Sequence, residues 1–173
     1  EEKKFKRHLH SPDNKESLSE NSILSLFEDK SGSIWVGTYS GLNKLDRTTD
    51  KFRHFFHDPL NDKTLSNNYV YSFCEDASGN FWIGTGGGLN RFDPVSKNFV
   101  YFTENNGLDN SVITGIVTDA NGNLWLSTIK GLSLFSVKNN EFRNFNINDG
   151  LSDNMFNFSS YLKTADGRIL FGS

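Results

Sequence analysis

Carboxylates recur in this sequence at three similar places, Glu28-Asp29, Glu75-Asp76 and Asp119, and acids on a fixed spacing are raw material for calcium sites and for acid/base catalysis. Calcium takes at least about six oxygens around one ion, and each of these places offers one or two. Each Asp is followed three residues later by a glycine, Gly32, Gly79 or Gly122, so the pattern reads as a turn whose Asp side chain caps backbone amides. A glycosidase-like pair would need acids set apart from the repeating positions, and none is marked in that way. Gly84-Thr85-Gly86-Gly87-Gly88 has the glycine density of a phosphate cradle but lacks the Lys-Ser/Thr pair and the helix such a loop requires, and it reads as a hairpin. His8, His10, His54 and His57 are spaced as metal ligands can be, yet no cysteine or further histidine completes a set, and a solvated outer edge is expected. Cys74 aligns with Phe27 and Val117, which makes it a core residue, and it has no His or Asn partner pattern for nucleophilic work. No Gly-x-Ser-x-Gly elbow occurs. The residues thus point to no catalytic group, no metal and no cofactor.

What positions these residues is a repeat. Leu18–Phe55 and Leu65–Phe102 align without a gap and agree at 17 of 38 positions. A third copy, Leu108–Phe145, keeps Asp119, Gly122, Trp125, Thr128, Gly131, Leu132, Phe142 and Phe145. The third copy also departs from the others, with Thr118 for Glu, Ser127 for Gly and Ser136 for Asp, changes that should leave the unit intact with less regular edges. The expected organisation is the tail of a preceding unit at 1–17, units at 18–64, 65–107 and 108–150, and a partial terminal unit at 151–173. Spacings of 47 and 43 residues match propeller blades.

Within one copy, apolar alternation is broken by the Asp-x-x-Gly turn and again before Gly-Leu, which predicts four short strands: Ile23 to Phe27, Ile34 to Thr38, Leu42 to Asp46 and Phe52 to Phe55. No segment has a helical period. Four antiparallel strands repeated radially make an all-β propeller, and this chain should be a fragment of about four such blades. Trp35, Trp82 and Trp125 fall mid-strand, where a large ring can fill the wedge between adjacent sheets and find a partner for its indole N–H. Gly41, Gly88 and Gly131 punctuate the next hairpin.

Composition agrees. With 35% hydrophobic residues, 16 Phe and one Met, the chain is an ordinary globular sequence biased toward strands. A net charge of −3 with interspersed signs leaves no footprint for nucleic acid. One cysteine forms no internal disulfide, and no apolar run approaches a membrane span or a signal peptide, so the chain reads as cut from something larger.

Surface recognition remains. The blade-to-blade connections and the second-to-third-strand hairpins of a propeller share one face. The hairpin tips Tyr39-Ser40, Gly86-Gly87 and Ile129-Lys130 vary on a fixed frame, as binding loops do and as drifting loops also do. The connections carry Asn21, Asn68, Asn110 and Asn154, read as corresponding positions, which could meet sugar hydroxyls or cap the loops. Tyr39 and Tyr69 are the expected stacking platforms. The candidate ligand residues are therefore Tyr39, Ser40, Asn68, Tyr69, Asn110, Lys130 and Asn154.

The string Glu-Asp-x-x-Gly-x-Ile/Phe-Trp-Val/Ile-Gly-Thr-x-x-Gly-Leu-Asn-Lys/Arg, followed by Lys/Asn-Phe, closely resembles the two-component regulator propeller repeat, over nearly the whole chain. The resemblance implies a seven-bladed parent propeller in the periplasmic sensor half of a hybrid two-component protein of Bacteroides type, an inner-membrane protein whose signal is a glycan fragment. It implies that this segment is not an enzyme, that histidine kinase activity lies elsewhere in the parent, and that its partners are the remaining blades and a downstream β-sandwich. An isolated piece with two open blade faces should self-associate. The alternatives are a propeller-type polysaccharide lyase or hydrolase and a non-catalytic scaffold for protein partners.

Overall fold

The computed structural model describes residues 5–173 and is all-β, with fourteen strands and, among those residues, no α-helix, only 3-10 turns at Glu104–Asn106 and Ile147–Asp149. The first sheet is β1 (Ile23–Glu28), β2 (Ile34–Thr38), β3 (Gly41–Asp46) and β4 (Lys51–Phe55). The second is β5 (Val70–Glu75), β6 (Phe81–Thr85), β7 (Gly88–Phe92) and β8 (Phe99–Phe102), and the third is β9 (Ile113–Thr118), β10 (Leu124–Thr128), β11 (Leu132–Ser136) and β12 (Glu141–Phe145). Each is an antiparallel meander in sequence order. A two-stranded sheet, β13 (Tyr161–Lys163) and β14 (Ile169–Phe171), follows. Three four-stranded blades and a two-stranded partial one at the end make up the propeller fragment that the sequence predicts.

Residues 1–4 of the expected leading tail lie outside the described residues. The rest of that tail forms no strand: His10 makes an isolated parallel bridge with Leu18, and Phe5, whose counterparts Phe52 and Phe99 are buried, is fully exposed.

The propeller arrangement follows from which strands touch. β1 packs on β5, β5 on β9 and β9 on β13, so the first strand of each sheet is the inner one. Approach is close enough to exclude side chains: a Cβ on Gly37 of β2 would lie 2.5 Å from the Val70 carbonyl oxygen of the next sheet, and one on Gly84 would lie 2.7 Å from Ile113 Cγ2. The tryptophans fill the outer part of the wedge. Trp35 packs against Phe81 (4.6 Å between ring centroids) and Phe92 (5.3 Å) of the second sheet, and Trp82 against Phe135 (5.7 Å) of the third. Both are buried, and two aromatic cores result, one between each pair of complete sheets. Trp125 stacks on Phe145 of its own sheet and is only partly buried, because the two-stranded sheet covers the inner part of the third sheet only.

Candidate functional site

The recurring carboxylates are structural. Asp29 Oδ1 accepts the amides of Ser31 (3.0 Å) and Ser33 (2.9 Å), while Oδ2 accepts the Trp35 indole N–H (2.8 Å). Asp76 repeats this with Ser78, Asn80 and Trp82 (2.9 Å to the indole), and Asp119 with Asn121 and Asn123. In the first two sheets one side chain thus closes the turn and pins the tryptophan six residues on, while in the third Asp119 Oδ2 accepts the Asn123 side-chain amide at 3.1 Å. Burial raises the pKa of Asp76, but the bonds from Trp82, Asn80 and Ser78 outweigh it and hold the carboxyl below the usual carboxylate range; Asp29 and Asp119 are lowered by the same balance. Gly32, Gly79 and Gly122 close these turns at φ of 80°, 81° and 82°, in the left-handed region that glycine enters without strain.

The histidines lie at a partly solvated edge, with His10 exposed and His8, His54 and His57 half-buried, and three of them also hold backbone carbonyls. Nδ1 of His10 meets the Leu18 carbonyl at 2.7 Å, Nδ1 of His57 meets that of Leu65 at 2.6 Å, and Nε2 of His54 meets that of Ser17 at 2.6 Å. They brace the chain where it passes from one blade to the next. Among the described residues no three His, Cys, Asp or Glu side chains gather as metal ligands would. Cys74 packs beside the core between the second and third sheets, and burial pushes its thiol up to about 11, so it stays protonated at neutral pH.

The connections and the second-to-third-strand hairpins do share a face. The Gly41 amide donates to the Asn68 carbonyl (2.8 Å), Ser66 and Thr85 join hydroxyls at 2.8 Å, and the Phe156 amide donates to the Thr128 carbonyl (3.2 Å). Each tip is built alike, with Thr38, Thr85 or Thr128 accepting the amide of Ser40, Gly87 or Lys130. In the second sheet the tip is glycine for a packing reason: a Cβ on Gly87 would lie 2.8 Å from the Ser66 carbonyl.

Of the four asparagines, three correspond. Oδ1 of Asn21, Asn68 and Asn154 accepts the amide of His10 (2.8 Å), His57 (2.7 Å) and Ile147 (2.9 Å), each tying the end of one blade to the start of the next. Asn110 is one residue out of register: it caps Val112 as Glu20, Asn67 and Asp153 cap the residues two beyond them, and Ser111 stands at the Asn position, bonded to the Glu104 carboxylate. The slip follows from reading asparagines by type where alignment to Leu108 puts Ser111 third.

On this face the structure brings Tyr39 and Tyr69 together, edge to face at 5.5 Å and 90°, each about half exposed. The run continues to Tyr71 of β5 (6.4 Å) and from there to the exposed Phe158 ahead of β13 (4.6 Å). Burial, and after it the neighbouring Tyr39 and Tyr69 hydroxyls, push the Tyr71 phenol up. Tyr71 and Phe158 were absent from the sequence reading. The available signal was the alternation at the start of β5, where Val70 and Ser72 are buried and Tyr71 between them is only partly so. Lys130 and Asn154 lie elsewhere, with Asp109 and Asn148 around a hollow of about 480 Å³. Ser40 is beside Tyr39, Asn68 beside Tyr69, and Asn110 between the two patches in sequence.

The two-component regulator propeller family model matches residues 17–40, 64–87 and 107–130. The extracellular domain of the putative hybrid two component system BT3049 from B. thetaiotaomicron is similar over 98% of this chain, at 28% identity and a TM-score of 0.76. That of BT4673 from the same organism is similar over 95%, at 25% identity and a TM-score of 0.80. The chain spans 22% and 23% of the lengths of those two domains. Virginiamycin B lyase from Staphylococcus aureus, at 14% identity and a TM-score of 0.66 over 95% of this chain and 50% of that one, shares the fold alone. No curated protein matches the sequence.

Proposed function

We propose that this chain, whose residues 17–40, 64–87 and 107–130 match the two-component regulator propeller model, is a ligand-recognition segment in the extracytoplasmic sensor of a hybrid two-component signalling protein, taking a glycan or oligosaccharide on its connection face. The observation that carries this reading is the aromatic run Tyr39, Tyr69, Tyr71 and Phe158, contributed by the first, second and last sheets and partly open to solvent. A sugar offers a C–H face to a ring and hydroxyls to a phenol, and tyrosine provides both contacts with few rotatable bonds. The kinship of the matched B. thetaiotaomicron domains, which are extracellular parts of such systems, supports the sensory role and a periplasmic setting in an inner-membrane parent.

We assign no catalysis to this segment; kinase chemistry belongs elsewhere in the parent. Its recurring carboxylates already hold turn amides and indoles, and its thiol is buried. The remaining blades and a following β-sandwich are its partners in the parent chain. Calorimetry of the chain against a panel of neutral oligosaccharides tests the reading. One member should bind, and Tyr69→Ala should weaken it about three- to tenfold, the range of an aromatic contact. A panel with no binder, or binding indifferent to Tyr69→Ala, would overturn it.

A further inference from the structure

On the opposite face, at the turns, the first sheet carries a pair of like charges with no counterpart in the other sheets. Lys44 on β3 stands directly across from Arg53 on β4. The same register holds Arg91 with Val100 in the second sheet and Leu134 with Arg143 in the third, one cation each. Like charges placed opposite one another destabilise an antiparallel pair. Among the described residues neither Lys44 nor Arg53 has a carboxylate at ion-pair distance; Lys44 Nζ sits 4.8 Å from the Trp35 ring centre and Arg53 Cζ 5.3 Å from that of Phe55.

Both line a hollow of about 440 Å³ between the first and second sheets, joined by Arg47 and Lys97, with Phe55 and Phe92 as an apolar wall. The nearby acids are engaged. Asp46, on the same wall, accepts the Thr48 amide at 2.8 Å; Glu28 pairs with Arg47 at 3.0 Å; Asp29, close enough to feel Lys44, holds the Trp35 indole. Lys44, Arg47, Arg53 and Lys97 thus line the hollow against one acid, Asp46, in a chain whose net charge is −3. The volume is that of a small-molecule site, larger than one inorganic ion needs.

We propose that this groove binds an acidic saccharide unit, a sugar ring bearing a carboxylate or sulfate, with the acid group among Lys44, Arg53 and Lys97 and the ring against Phe55 and Phe92. The site is separate from the connection face and independent of it. Carboxylate and sulfate share the chemistry that cations recognise, and bidentate bonding from Arg53 suits both.

Titration of the chain by NMR at low salt, with glucuronic acid, glucose 6-sulfate, glucose and inorganic sulfate, tests this. The variant Arg53→Val installs the residue the second sheet carries at this register and relieves the like-charge pair, so the fold should persist. At least one acidic sugar should bind roughly tenfold more tightly than glucose and than inorganic sulfate, weaken with salt, and lose roughly tenfold in Arg53→Val but nothing in Tyr69→Ala. Equal binding of glucose, equal binding of inorganic sulfate, indifference to Arg53→Val, or no binding of either acidic sugar would each overturn the proposal.

Discussion

Gly115 on β9 faces Ser127 on β10, the reverse of the first two sheets, where Ser25 and Ser72 on the inner strand face Gly37 and Gly84 on the second. The pair is kept and its members exchanged. One small side chain fits between inner strands of neighbouring sheets, and in the third sheet Ser127 supplies it, buried and bonded to Thr114 Oγ1 at 2.9 Å. The serine at position 127 is thus a compensated change, which is why the third sheet forms as regularly as the others.

A Cβ on Gly115 would lie 2.7 Å from Ser127 Oγ and press on the Tyr161 ring. Gly115→Ala should therefore destabilise the chain by about 1–3 kcal/mol, as overpacking does. Thermal unfolding monitored by circular dichroism should show the lowered Tm, and Gly122→Ala, where a Cβ meets nothing but φ is 82°, separates backbone strain from crowding.

The Asp-to-indole bond differs in value between sheets. Asp76→Ala leaves the buried Trp82 N–H without a partner, which costs about 1–3 kcal/mol. Asp119→Ala strips the same turn amides, but Trp125 is only partly buried and its indole N–H can turn to water, so its Tm should fall less. Denaturant midpoints of the two variants, measured side by side, check the order.

Acid should unfold the chain through these same carboxyls. A group whose folded pKa lies below its unfolded value contributes stability that is present above the unfolded value, about 3.9 for Asp, and is lost as pH falls through the folded one. Asp29, Asp76 and Asp119 are all lowered. Stability should hold near neutrality and decline below about pH 4, and Asp76→Ala should flatten that decline in an acid titration followed by tryptophan fluorescence.

Two sheet faces remain open. Leu26, at 69% exposure, and Ile23 border a hollow of about 290 Å³ over Leu18, Val36 and Phe52 on the first sheet, and Trp125 with Phe145 opens on the third. Sedimentation should show association that grows with concentration, and Leu26→Lys should weaken it. A chain that stays monomeric at high concentration contradicts this.

Much of the frame was legible in the sequence because it is repeated. β2 runs over the residues expected, and the other strands of the first sheet over nearly the same ones, since the Asp-x-x-Gly and Gly-Leu punctuation marks their ends. The link from Asp29 to Trp35 was equally available, in a six-residue spacing found in all three copies, but it joins a turn to the next strand and is invisible when each is read alone. The candidate face was harder. Tyr39 and Tyr69 stand 30 positions apart and meet only because the β2–β3 hairpin of one blade leans on the entry to the next. Tyr71 and Phe158 join them from different sheets, a proximity set by the curvature of the ring and written in no local pattern. The histidine braces were missed because their partners are carbonyls, which the sequence does not distinguish.

Crystallography of the chain with a neutral oligosaccharide identified by calorimetry tests the connection-face claim most directly. A pyranose ring stacked on Tyr69 or Tyr71, with hydroxyls reaching Tyr39 or the neighbouring connections, is the expected outcome. A sugar seated on the turn face, with Tyr39, Tyr69, Tyr71 and Phe158 untouched, would contradict it.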